Sequence, residues 1–165
     1  MNFRKANYND IETINKIYED ASKSLAENGI DQWQGELKPK IKNKEAIKNI
    51  YLLTESEEIL STGIILDYDK DYANIYDGSW LSNGKYYVVH KFATNIKIRR
   101  KGYGSIFLQE VEKLAIKNFI FSIKIDTHED NYLMQKLLVK NGYKKCGMVI
   151  LEGSGKRLAY EKLLK

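Results

Sequence analysis

The stretch from Tyr86 to Asp126 constrains this chain most. Tyr86–Thr94 is rich in β-branched and aromatic residues, and Ile120–Asp126 is β-branched again. Between them, Gly104–Asn118 carries Phe107, Val111 and Leu114 at helical spacing. A strand, a helix and a strand in this order form a crossover, and a crossover joins parallel strands. The remaining segments must then extend that sheet or cover it, which predicts a mixed α/β fold.

Those segments can be read the same way. Phe3–Ala6 predicts a short opening strand. Ile11, Ile14, Ile17, Tyr18, Ala21 and Leu25 make a helical stripe over Asp10–Glu27, with Asn9 or Asp10 as cap and Asn28-Gly29 as stop. Asn43–Asn49 predicts a second, short helix, and Ile59–Leu66 and Ala73–Tyr76 predict strands. Asn131–Asn141 is a helix striped by Met134, Leu137 and Leu138 and stopped by Gly142. Cys146–Leu151 and Leu158–Leu163 pair as a hairpin through Glu152–Lys156. The predicted order is β-α-α-β-β-β-α-β-α-β-β, a central mixed sheet with helices on both faces. The 165 residues show no repeat, linker or charge block, so one domain over 1–165 is expected.

Composition removes several function classes. The longest apolar runs, Ile50–Leu53 and Tyr86–Val89, are far too short to span a membrane. No apolar leader follows Met1, and the lone Cys146 forms no intrachain disulfide, so a reducing cytoplasm is expected. Two histidines and one cysteine, widely separated, give no metal spacing. The net charge of +5 favours anionic partners. No recognition-helix pattern or aromatic–basic motif accompanies it, so nucleic acid is not expected.

The informative loop is Arg99-Arg100-Lys101-Gly102-Tyr103-Gly104-Ser105, between a strand and a helix start. Amide N–H groups at a helix N-terminus, glycines that let the backbone approach, and adjacent cations suit a phosphate. A dinucleotide site needs a third glycine three positions after the second, where this chain has Phe107. A tight turn with solvated basic residues is the plain alternative.

Arg99-x-x-Gly102-x-Gly104 resembles the acyl-CoA pyrophosphate loop of the GNAT N-acetyltransferase superfamily. The resemblance extends to the preceding strand His90-Lys91-Phe92-Ala93-Thr94, to Asn131 opening the next helix, and to the helix exit Lys140-Asn141-Gly142-Tyr143. It covers residues 86–150 in motif and the rest in element order. It implies acetyl-CoA as co-substrate, no metal, and direct acetyl transfer to a primary amine of a small molecule or peptide. It implies that Phe92, Ala93 and Thr94 pair with pantetheine by their backbone and supply an oxyanion donor. It further implies that Arg99, Arg100, Lys101, Gly102, Tyr103, Gly104 and Ser105 hold the diphosphate and that Asn131 bonds the pantetheine arm.

Two residues compete for general base. Asp126 stands where some family members carry an acidic residue, and it reads equally as a strand-end turn residue. His90 shares a face with Phe92 and Thr94 if the strand alternates strictly. The sequence departs from the family at Leu138, where many members carry a tyrosine acid. That departure keeps a non-catalytic acyl-CoA-binding module open as the alternative. Trp33, Tyr76, Trp80 and Tyr86 are candidate acceptor-side aromatics, and Trp33 reads equally as a core cap. Homodimers form through late strands in this family, but Val149–Leu151 reads equally as an internal strand, so the oligomeric state stays open.

Overall fold

The computed structural model describes residues 1–98 and 101–165. The chain opens on strand β1 (Asn2–Lys5), runs through helix α1 (Ile11–Glu27) and returns as strands β2 (Ile50–Glu55) and β3 (Glu58–Leu66). Strand β4 (Tyr87–Thr94), helix α2 (Tyr103–Lys117) and strand β5 (Ser122–Thr127) make the expected crossover. Helix α3 (Tyr132–Lys140) and strands β6 (Lys144–Leu151) and β7 (Gly155–Leu163) complete it. The seven strands form one mixed sheet in the order β1-β2-β3-β4-β5-β7-β6. β4 and β5 are parallel, with Tyr87 opposite Ile123 and Val88 opposite Lys124. The β1–β2, β2–β3, β5–β7 and β6–β7 pairs are antiparallel. Among the described residues no helix is long and apolar enough to cross a membrane.

Contacts divide the chain into two packed units, Met1–Ile65 with Lys91–Phe107, and Leu66–His90 with Leu108–Lys165. In the first, the predicted stripe of α1 buries Ile14, Ile17 and Tyr18 against Ile50, Leu52, Ile59 and Ala93. In the second, Tyr72, Val88, Val149 and Ala159 form the core, with Trp80 and Tyr86 packed on it. The α3 exit behaves as read. Gly142 sits at φ 86°, and Tyr143 N–H donates to the Leu138 carbonyl at 3.0 Å, closing the helix with a glycine in the left-handed region.

Three expectations of element placement are corrected. Ile50–Glu55 is a strand that the sequence did not reveal, because a short continuous apolar run has no period to separate strand from helix. The helix expected at Asn43–Asn49 is only a 3-10 turn over Glu45–Ile47. Ala73–Tyr76 is not a strand. The chain there makes a 3-10 turn at Lys70–Ala73, capped when the Asp69 side chain accepts from Asp71 N–H, and Tyr76 makes one isolated bridge to Met148.

Candidate active site

His90 and Asp126 are brought together. His90 lies in β4 and Asp126 near the end of β5, and His90 Nδ1 is 3.7 Å from Asp126 Oδ2. A third group, unforeseen in the sequence, completes the cluster. Asp69, the cap of the turn after β3, places Oδ2 2.5 Å from His90 Nε2. Tyr72, one turn further on, donates its hydroxyl to Asp126 Oδ2 at 2.5 Å and sets its ring edge-on to the imidazole at 5.8 Å between centroids. The imidazole thus stands between two carboxylates, one of which is fixed by a phenol.

These groups are screened from water to different degrees. Side-chain exposure is 22% for His90, 14% for Asp69 and 7% for Asp126. Burial pushes the Asp126 carboxyl above its ordinary range, against the opposing pull of His90, the Tyr72 hydrogen bond and Arg157. Burial also raises the Tyr72 phenol well above its usual value, and the Asp126 charge adds to it. A carboxyl that resists ionisation beside an imidazole suits a proton acceptor site.

A second buried charge group lies in the same unit. Lys124, two residues before Asp126 on β5, holds its ammonium 4.4 Å from the Trp80 ring centroid and 4.0 Å from that of Tyr86. Burial lowers its pKa, opposed by the Glu161 charge. Glu161 on β7 is fully buried and accepts from Leu81 N–H at 2.5 Å, from Ser122 Oγ at 2.7 Å and from the Ser82 hydroxyl. Trp80 Nε1 donates to the Tyr72 carbonyl at 2.8 Å, which ties Trp80 to the turn that carries Asp69 and Tyr72.

Strict alternation does not run through β4. Lys91 adopts φ 48°, a left-handed backbone rare for a residue with a Cβ, and the burial pattern runs in pairs: Val88 and Val89, then Phe92 and Ala93. The shared face expected for His90, Phe92 and Thr94 therefore does not follow from period-two counting. Phe92 stacks on Phe107 at 5.0 Å, Ala93 joins the α1 core, and Thr94 Oγ1 lies 3.2 Å from Ser61 Oγ. These side chains serve the core, which leaves the strand's main chain as the part suited to a ligand.

Of the glycine loop, Arg99 and Arg100 lie outside the described residues. Lys101 and Gly102 are exposed, Gly104 is buried, and α2 begins at Tyr103, with Ile106 N–H donating to the Gly102 carbonyl at 3.1 Å. Gly102 has φ 79° with nothing within 4 Å of the position a Cβ would take. The open backbone at a helix start fits a diphosphate. Asn131 caps α3, its side-chain oxygen accepting from Met134 N–H at 3.2 Å. Leu138 is fully buried in the α3 stripe, as core. Trp33, partly buried, packs on the α1 core, edge-on to Tyr18 at 5.8 Å, with its carbonyl accepting from Ser22 Oγ at 2.6 Å.

No protein-family model matches the chain, and no curated protein does. Solved structures do. A GNAT-family acetyltransferase from Streptococcus agalactiae is 32% identical, with 99% of this chain and 95% of that one covered at a TM-score of 0.86. A GNAT-family acetyltransferase from Listeria monocytogenes is 24% identical, covering 99% and 94% at 0.74. An N-acetyltransferase from Staphylococcus aureus, 18% identical over 99% and 98%, shares the fold at 0.68.

Proposed function

Since the chain belongs to the GNAT family of acetyltransferases, we propose that it moves an acetyl group from acetyl-CoA directly to a primary amine, using residues 1–165 as one catalytic domain. The observation that carries the reading is the cluster of His90 between Asp69 and Asp126, with Nδ1 and Oδ2 3.7 Å apart, in a chain of this family. An amine is protonated near neutral pH and must lose a proton before it attacks. His90 accepts that proton, and Asp126 holds the ammonium beside it. The nitrogen then forms the new C–N bond, the C–S bond breaks with its electron pair on sulfur, and the second N–H proton neutralises the thiolate.

The glycine loop, Arg99 to Ser105, holds the diphosphate. The main chain of Phe92, Ala93 and Thr94 holds the pantetheine and donates to the developing oxyanion. Asn131 reaches the pantetheine arm. With Leu138 in the core, no side-chain acid is assigned, because CoA thiolate is a tolerable leaving group.

A thermal-shift titration with acetyl-CoA, CoA and NADH tests the co-substrate. At about a hundred times Kd, a ligand adds roughly 2.7 kcal/mol, a rise on the order of 5–10 °C. A rise with both CoA species and none with NADH is expected, and no rise with either CoA species overturns the reading. Thiol release is then followed across a diamine, an aminoglycoside, a lysine peptide and a peptide N-terminus. Release at the spontaneous rate throughout, with binding intact, supports the acyl-CoA-binding module instead.

A further inference from the structure

We infer that Asp69 is a positioning residue for His90: it holds the imidazole with its proton on Nε2 and leaves Nδ1 facing Asp126 as the proton-accepting atom. The inference rests on the reading of His90 as the base. An ionised carboxylate only accepts hydrogen bonds, so the 2.5 Å contact of Asp69 Oδ2 with Nε2 requires Nε2 to donate. A neutral imidazole has one N–H, so the Nδ1 lone pair is free to take a proton. The 3.7 Å between Nδ1 and Asp126 Oδ2 is too long for a hydrogen bond between them. It is short enough for one ammonium to donate to both. On transfer, the N–H bond of the ammonium breaks, an N–H bond forms at Nδ1, and the imidazolium is held between the two carboxylates.

Asp69 is itself held. Its Oδ1 accepts from Asp71 N–H at 2.8 Å, and its backbone lies 3.4 Å from the Tyr86 hydroxyl. The groups facing His90 are Asp69 and Tyr72 from the turn and Asp126 from β5, with Tyr86, just before β4, acting through the Asp69 backbone and Arg157 of β7 through Asp126. Asn caps a turn about as well as Asp. Asp69→Asn therefore keeps the cap and removes the charge that fixes the ring.

The test is long-range proton–nitrogen NMR on histidine-labelled protein together with steady-state kinetics. The chain has two histidines, and His90→Gln assigns the signals. In the parent protein His90 is expected as the Nε2–H tautomer. In D69N and D69A the tautomer becomes mixed or inverts. With acetyl-CoA and the fastest amine of the panel, D69N is expected to lose about a hundredfold in kcat while the acetyl-CoA KM stays within about twofold. D69E restores part of the rate. An unchanged tautomer in both D69N and D69A overturns the inference whatever the rates. So does a changed tautomer with kcat within about threefold while H90Q is slow. H90Q at the parental rate overturns the base reading itself.

Discussion

Both packed units bury hydroxyls, but among the described residues the second also buries charged side chains. The unit of Met1–Ile65 with Lys91–Phe107 buries Ser22, Thr54, Ser61 and Thr62, all hydroxyls, alongside an aliphatic and aromatic core. The unit of Leu66–His90 with Leu108–Lys165 buries Ser122 and Thr127, adds Lys124, Arg157 and Glu161, and surrounds His90 with carboxylates. Hydroxyls bury cheaply when they find a partner, whereas charges need several. The first unit is therefore held by packing, and the second gives up some packing stability to keep ionisable groups in place. The difference teaches where to look for chemistry: in the unit whose interior costs most to assemble.

The largest expected effect is at Glu161. Removing its carboxylate strands Leu81 N–H and the Ser82 and Ser122 hydroxyls and takes away the negative charge that opposes the burial of the Lys124 ammonium. Glu161→Ala is expected to destabilise by about 4 kcal/mol, read as a shift of the urea midpoint. A loss under about 1 kcal/mol would mean that the buried charges are as dispensable as surface pairs, and the contrast between units would collapse.

Leu52→Ala probes the other side. Leu52 is fully buried among Ile14, Ile17 and Ile50. Its truncation leaves a cavity and is expected to cost about 3 kcal/mol. The loss should be independent of pH between about 5 and 8, since the titratable side chain of its cluster, Tyr18, has its phenol pushed up by burial and stays neutral there. A pH-dependent loss would show that titrating groups, and not packing alone, set the stability of the first unit.

How much of this was legible depended on whether the signal was local. The helices α1 and α3, the βαβ crossover and the Gly142 stop could be read because period, cap and φ are properties of a short window. β2 could not, because Ile50–Leu53 has no alternation, and its strand state comes from pairing with β1 and β3. The same divide runs through the site. Asp126, His90 and the glycine loop stood out by position in a motif. Asp69 and Tyr72 did not, because what joins them to His90 and Asp126 is a turn of the Lys70–Ala73 segment that the sequence presented as approach to a strand. An aspartate two residues before Asp71 N–H was the one available signal for that cap. Lys91 shows the converse error: alternation was legible and did not hold, because one left-handed residue resets it.

Gly102→Val sharpens the contrast from the first unit's ligand-facing end. Its φ of 79° disfavours any side chain, but no atom lies within 4 Å of the added Cβ. The expected stability cost is only about 1–2 kcal/mol, from the left-handed backbone alone. Acetyl-CoA binding should weaken by about tenfold or more, because the backbone no longer approaches the diphosphate closely. Binding retained at parental affinity would remove the loop from the co-substrate site.

The smallest stability effect has the most informative sign. Burial raises the folded-state pKa of Asp126 above that of the unfolded chain. Below the ordinary carboxylate range both states are protonated, and the group's stability contribution is fully present. As pH rises through the folded pKa, the native protein must hold a charge that the unfolded chain holds more easily, and that contribution is lost. Asp126→Asn removes the charge and keeps an oxygen for the Tyr72 hydroxyl. It is therefore expected to be more stable than the parent by about 1 kcal/mol near pH 7.5, with the gain fading toward about pH 4. Its turnover should fall far more than its affinity for acetyl-CoA, because the second acceptor for the ammonium is gone. A gain in stability paired with a loss of rate is the mark of a group retained for chemistry rather than folding. A loss of stability at neutral pH would instead mean that His90 and Arg157 outweigh burial, and that the charged interior of the second unit holds the fold as firmly as the apolar interior of the first.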